Sequence, residues 1–123
     1  MIESVLVTIV DDVESMREAL PELIGDFGFA VRAFASSEEF LAAGCADETS
    51  CLVLDIAMPG MSGPQLQQEL QRRGQSIPII FITAHGDAAS FAPLLERGAS
   101  ACLIKPFSDT ALLDAIRAAL RLD

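Results

Sequence analysis

Five of the six residues in Val5-Leu6-Val7-Thr8-Ile9-Val10 are apolar, and the run stops at two carboxylates, Asp11 and Asp12. A stretch so rich in β-branched residues, without polar alternation, predicts a strand buried on both faces, as in a parallel sheet. Met16, Leu20, Leu23, Ile24 and Phe27 then recur at helical spacing, and Gly28 ends the predicted helix. Pro21 falls inside it, where it removes a backbone hydrogen bond and is expected to bend the helix. Residues 30–34 alternate weakly and predict an edge-type strand. Ser36 and Glu39 form a capping-box pattern that opens a short helix through Phe40 and Leu41. Residues 44–50 read as a polar loop.

The same cadence repeats. Cys51-Leu52-Val53-Leu54 is an apolar strand ending in the carboxylate of Asp55, and the turn Met58-Pro59-Gly60 breaks it. Ser62-Gly63-Pro64 opens a third helix with a narrow stripe of Leu66 and Leu70; its Gln- and Arg-rich remainder is expected to face solvent. Pro78-Ile79-Ile80-Phe81-Ile82 is a fourth strand running into Thr83-Ala84-His85-Gly86-Asp87, and a helix carrying Phe91, Leu94 and Leu95 follows. Residues 100–104 form a fifth strand that stops at Lys105-Pro106. Ser108 caps the last helix, whose apolar face is Leu112, Leu113, Ile116 and Leu120.

Five strands alternating with five helices predict an α/β fold, a parallel sheet covered on both faces. In such sheets ligands bind beyond the carboxyl ends of the strands, where strand order reverses. Asp11 and Asp12 follow the first strand, Asp55 ends the third, Thr83 follows the fourth and Lys105 the fifth. Taken singly, each has a plain explanation: a helix cap, a turn former, a β-favouring threonine, a solvated lysine. Together, at one edge of one sheet, they point to a site.

Composition narrows the class. A chain of 123 residues with 51% hydrophobic content fits one domain with a substantial core. Eighteen acidic against eight basic side chains give a net charge of −10, which argues against direct nucleic-acid binding. It suits a divalent cation or a basic partner surface. No apolar run approaches the roughly 18 residues of a membrane span, and Met1-Ile2-Glu3-Ser4 lacks a signal-peptide start, so a cytoplasmic protein is expected. Cys45, Cys51 and Cys102 show no CxxC spacing and read as reduced thiols.

If the first and third strands are neighbours, Asp11, Asp12 and Asp55 converge. Two carboxylates about 4 Å apart repel by roughly 4 kcal/mol at an effective dielectric near 20. Three together require raised pKa values or a cation, and a hard divalent ion such as Mg²⁺ suits oxygen ligands and phosphate chemistry. Lys105 adds a mobile positive charge and Thr83 a hydroxyl donor. An Asp nucleophile, a metal, a lysine and a hydroxyl are the set that stabilises in-line phosphoryl transfer to a carboxylate.

On Val10-Asp11-Asp12, the run from Leu54 to Gly63, Ile82-Thr83-Ala84 and Lys105-Pro106-Phe107, the chain resembles the receiver domains of two-component response regulators. The resemblance spans essentially all of residues 1–123 as a single receiver domain. It implies a flavodoxin-like (βα)5 three-layer sandwich with strand order 2-1-3-4-5. The wording around Asp55 and in residues 83–87 is most similar to the nitrogen-fixation-type transcriptional regulators, whose output domains bind DNA. By resemblance, Asp55 takes a phosphoryl group from a histidine kinase or phosphotransfer protein. Asp11, Asp12, Asp55 and the backbone carbonyl of Ala57 hold Mg²⁺, while Thr83 and Lys105 engage the phosphate. A cis Lys105-Pro106 peptide is also implied.

Three residues before the lysine the family usually has an aromatic side chain that swings inward, and here Cys102 stands there. The signal is therefore expected to leave through the Thr83 loop and the helix beginning near Asp87. Ala57 and His85 occupy positions expected to tune phosphate lifetime, His85 by orienting water or by facing solvent. The fourth helix, fifth strand and fifth helix form the face through which the family generally dimerises. Catalysis is expected to extend only to the protein's own phosphorylation and dephosphorylation. A phosphohydrolase reading lacks the second Asp two residues after the nucleophile, where Ala57 lies, and a cap domain. A degenerate or phosphate-sink receiver, acting as a stand-alone interaction module, is the alternative. The sequence stops directly after the last helix, so either the domain works alone or a longer protein carries the output.

Overall fold

A computed structural model of the chain describes residues 5–84 and 88–121. Among them the elements run β1 (Leu6–Val10), α1 (Glu14–Asp26), β2 (Ala30–Phe34), α2 (Ser37–Ala43), a 3-10 turn (Ala46–Glu48), β3 (Thr49–Asp55), α3 (Gly63–Arg72), β4 (Ile79–Thr83), α4 (Ala88–Glu96), β5 (Ala101–Ile104) and α5 (Asp109–Leu120). All strand pairs are parallel, in the order β2-β1-β3-β4-β5. The expected flavodoxin-like topology is what the chain adopts. No helix among the described residues is long and apolar enough to cross a membrane.

The continuous apolar runs occupy the middle of the sheet. Every residue of β1 and β4 is buried, whereas β2 and β5, at the edges, are partly exposed. Side chains alternate between two cores, as the pleat demands. Leu52, Leu54 and Phe81 pack with Phe40, Leu66, Leu70 and Leu94 under α2, α3 and α4. Cys51, Val53, Ile80 and Ile82 pack with Leu20, Ile24, Leu112 and Ile116 under α1 and α5. Three layers result.

Local chemistry starts the helices. Ser62 accepts from Gln65 N–H while the Gln65 side chain accepts from Ser62 N–H, a full capping box, and Pro64 sits in the first turn of α3. Ser108 caps α5 through Ala111 N–H. At α2 only half of the expected box forms: Ser36 Oγ accepts from Glu39 N–H, but Glu39 reaches Ala35 N–H instead of Ser36.

One other expectation needs correction. Residues 44–50 are not one loop, because Thr49 already pairs in β3 and its buried hydroxyl bonds Thr8 and the Cys45 carbonyl. Away from its leucines helix α3 is mostly solvent-facing, as expected, with Gln65, Gln68, Gln71 and Arg72 exposed; the exception is Gln67, only 2% exposed. Leu95 turns outward at 45% exposure, leaving Leu94 to carry the buried face of α4. As expected, α1 holds Pro21 within it and runs on to Asp26; a second proline, Pro93, lies within α4.

Parallel strands bring their carboxyl ends to one edge. Asp55 pairs in register with Ile82, and Thr83 with Ile104, so the ends of β3, β4 and β5 lie almost level. Between β1 and β3 the chain changes direction across the sheet, leaving a crevice at that point.

Candidate functional site

Carboxylate oxygens of Asp11, Asp12 and Asp55 all lie within 4.8 Å of one another at this crevice. Asp11 and Asp55 are buried and Asp12 is exposed. Asp11 is held from every side. Its N–H extends the ladder to the Phe34 carbonyl at 3.1 Å, and its carbonyl accepts from Arg17 Nη1 at 3.0 Å. Its Oδ1 accepts from Val13 N–H at 2.8 Å, next to a helix start whose N-cap, Val13, offers no side-chain cap. Its Oδ2 accepts from Lys105 Nζ at 2.8 Å. Capping is thus a real part of what Asp11 does, and the buried contact with Lys105 is the part a simple cap does not need.

Lys105 was expected to engage the phosphate as a mobile positive charge. The structure sets its ammonium nearer Asp11, with Asp55 Oδ2 at 3.8 Å, so it bridges the two buried carboxylates. Burial, followed by the neighbouring Asp11 charge, pushes the Asp55 carboxyl up from 3.8 to about 7. Asp12 adds to the rise and Lys105 opposes it. One lysine does not neutralise the crowding.

The donor set is oxygen only, clustered and short of positive charge, which is what a hard divalent cation fits. Asp11, Asp12 and Asp55 could hold Mg²⁺. Ala57, whose carbonyl completes the expected set, is exposed in the loop after β3.

Thr83 is buried at the end of β4, and its carbonyl accepts from Lys105 N–H at 2.7 Å, which aligns the β5 end with it. The Lys105-Pro106 peptide is cis, as expected. Cys102 faces Phe81 across the β4–β5 pair and packs, half-buried, on the core under α4, where burial raises its thiol pKa. His85 and Asp87 lie outside the described residues.

Three contributors were not foreseen. Arg17 fixes the Asp11 backbone. Gly63 presses against Asp55 so closely that a Cβ there would overlap the Asp55 carbonyl oxygen. Glu38 of α2 accepts from Met61 N–H at 2.8 Å, 23 residues away, in the loop that leaves Asp55. None has a periodicity signal; Gly63 beside Pro64, at a predicted helix start, was the nearest to a clue. A cavity of about 640 Å³, lined by Gln67, Gln71, Arg97 and Arg121 among others, includes none of these groups.

Residues 7–117 match the family described as "Response regulator receiver domain". Nodulation protein W of Bradyrhizobium diazoefficiens is 47% identical over 96% of this chain and 52% of its own length. Transcriptional regulatory protein FixJ of Azorhizobium caulinodans is 40% identical over 98% of this chain and 57% of its own. The solved structure of response regulator StyR superposes with a TM-score of 0.89 at 44% identity, covering 96% of this chain and 60% of that one. The chain spans about half the length of the curated relatives it matches.

Proposed function

The chain belongs to the response regulator receiver family of two-component signalling, with transcriptional regulators among its relatives, and from that premise we propose that Asp55 is its phosphoacceptor. An Asp55 carboxylate oxygen attacks the phosphorus of a phosphohistidine on a histidine kinase or phosphotransfer protein. The new O–P bond forms as the P–N bond breaks, and the imidazole leaves with the electron pair. The observation that carries this is the convergence of Asp11, Asp12 and Asp55 within 4.8 Å, with Lys105 bridging two of them.

Asp11, Asp12, Asp55 and the Ala57 carbonyl hold Mg²⁺ in this reading. When bound, the ion would neutralise charge on phosphoryl oxygens beside the carboxylates. Lys105 donates to a phosphoryl oxygen, moving off Asp11 to do so. The Thr83 hydroxyl donates to another. His85 and Ala57 set the lifetime of the acyl phosphate through the access of water. Cys102 has little lever arm, so the change leaves the pocket through the Thr83 loop and α4.

We place residues 1–123 as one receiver domain in the cytoplasm. Its reactivity is limited to its own phosphorylation and hydrolysis. Its output is a switch in protein–protein contacts, including a homodimer through α4, β5 and α5. With a net charge of −10 the chain itself does not contact DNA. Incubation with acetyl phosphate and Mg²⁺ should add one phosphoryl mass at Asp55, and Asp55→Asn should abolish it. An unmodified wild-type protein under those conditions would favour a degenerate receiver instead.

A further inference from the structure

Two adjacent acids open α2, and they do different things. Glu39 serves its own helix, taking Ala35 N–H while Ser36 caps the Glu39 N–H. Glu38 is not needed there. Its side chain leaves the helix, and Oε2 accepts from Met61 N–H at 2.8 Å. Gly60 makes the approach possible: at φ +73° it takes a backbone conformation that suits glycine, and a Cβ on it would stand 2.6 Å from Glu38 Oε2.

The loop so gripped is the one leaving Asp55. One end is pinned where Ile56 N–H donates to the Ile82 carbonyl at 3.0 Å; the other where Gly63 N–H donates to the Ile56 carbonyl at 3.0 Å. Between these, Met58 is buried in the core, while Ala57 is exposed. Met61 N–H is held from a different helix, by the Glu38 carboxylate.

We propose that Glu38 is a positioning residue for the divalent-cation site, holding the loop from Ile56 to Met61 so that the Ala57 carbonyl stays with the three carboxylates. The inference rests on the metal reading given above. Glu38 touches neither the ion nor the phosphoryl group; it acts through the backbone, as outer partners of metal ligands do.

Mg²⁺ titration followed by backbone amide NMR shifts of Asp11, Asp12 and Asp55 tests it, on wild type, Glu38→Ala and Glu38→Gln. Glu38→Ala should weaken Mg²⁺ binding about tenfold and speed hydrogen exchange at Met61 N–H, with little change in melting temperature. Glu38→Gln keeps an acceptor oxygen but loses the charge, and should recover most of the affinity. If Glu38→Gln falls as far as Glu38→Ala, the long-range charge matters and not the tether, and the proposal is overturned. Unchanged Mg²⁺ affinity in Glu38→Ala overturns it alone. A wild-type protein that takes up no Mg²⁺ overturns the metal reading and this inference with it.

Discussion

The ammonium of Lys105 sits 2.8 Å from Asp11 Oδ2 and 3.8 Å from Asp55 Oδ2, so the lysine rests mainly on Asp11. A divalent ion bound to these carboxylates would therefore compete with the lysine. Lys105→Met should leave the buried Asp11 charge without its partner and destabilise the metal-free protein by about 3 kcal/mol. The same change should tighten Mg²⁺ binding by about tenfold, a modest fraction of the Coulomb energy at this separation. Urea unfolding with and without Mg²⁺, together with calorimetric titration, reads both effects. Weaker Mg²⁺ binding in Lys105→Met would contradict the competition.

Stability should also carry a pH signature from Asp55. The carboxyl titrates near 3.8 in the unfolded chain and near 7 in the folded one. A folded-state value raised in this way means the folded protein binds the proton more tightly. Its contribution is full below pH 3.8 and is lost as pH rises through about 7. The loss is on the order of 2–4 kcal/mol. Asp55→Asn removes it, so the variant's stability advantage over metal-free wild type should grow from pH 4 to pH 7.5 and shrink when Mg²⁺ is added. A constant difference across that range would show that Asp55 titrates normally.

Gly63 is fixed by contact and not by conformation. Its Cβ position is filled by the Asp55 carbonyl, which is backbone and cannot swing away. Gly63→Ala should cost about 3 kcal/mol in urea unfolding. It should also shift the amide resonances of Asp55 and Ile56. Gly44→Ala gives the comparison: nothing stands within 4 Å of a Cβ there, so its cost comes only from a positive φ of 69°.

The thiols should report the core. Cys45 and Cys51 are buried, and burial pushes the Cys51 thiol up to about 12. Cys102 is half-buried, with its thiol pKa also raised. A disulfide reagent at pH 8 should modify Cys102 slowly in the native protein and reach all three thiols only after denaturation. Fast native labelling of Cys51 would mean that the core under α1 and α5 opens readily.

What could be read from the sequence was whatever a period or a strand end encodes. Apolar runs of strand length gave β1, β3 and β4, and the three-four spacing gave α1 and α5, because burial against a sheet imposes those periods. Asp11, Asp55, Thr83 and Lys105 stood out because each interrupts or follows an apolar run. Gln67 was misread because an amide looks solvent-facing in a pattern, yet its Nε2 donates to the Leu94 carbonyl at 3.3 Å and the residue is buried. Leu94 is buried and Leu95 exposed because the two are adjacent, and a helix turns neighbours about 100° apart. Glu38, Gly63 and Arg17 were invisible for one shared reason. Their partners are backbone atoms, and a backbone atom carries no residue identity.

The contact between Lys105 and Asp11 spans 94 residues and closes the sheet from its first strand to its last. A chain made from its N-terminus presents Asp11 and Asp55 long before their lysine exists, and β1 can take its place between β2 and β3 with two carboxylates already crowded. The last strand to join the sheet then brings the counter-charge. Assembly of the pocket and completion of the fold are thus expected to be one event: a kinetic probe at Asp55 should report native pairing no earlier than β5 docks. Mg²⁺ present during refolding should speed that step by relieving the repulsion in advance.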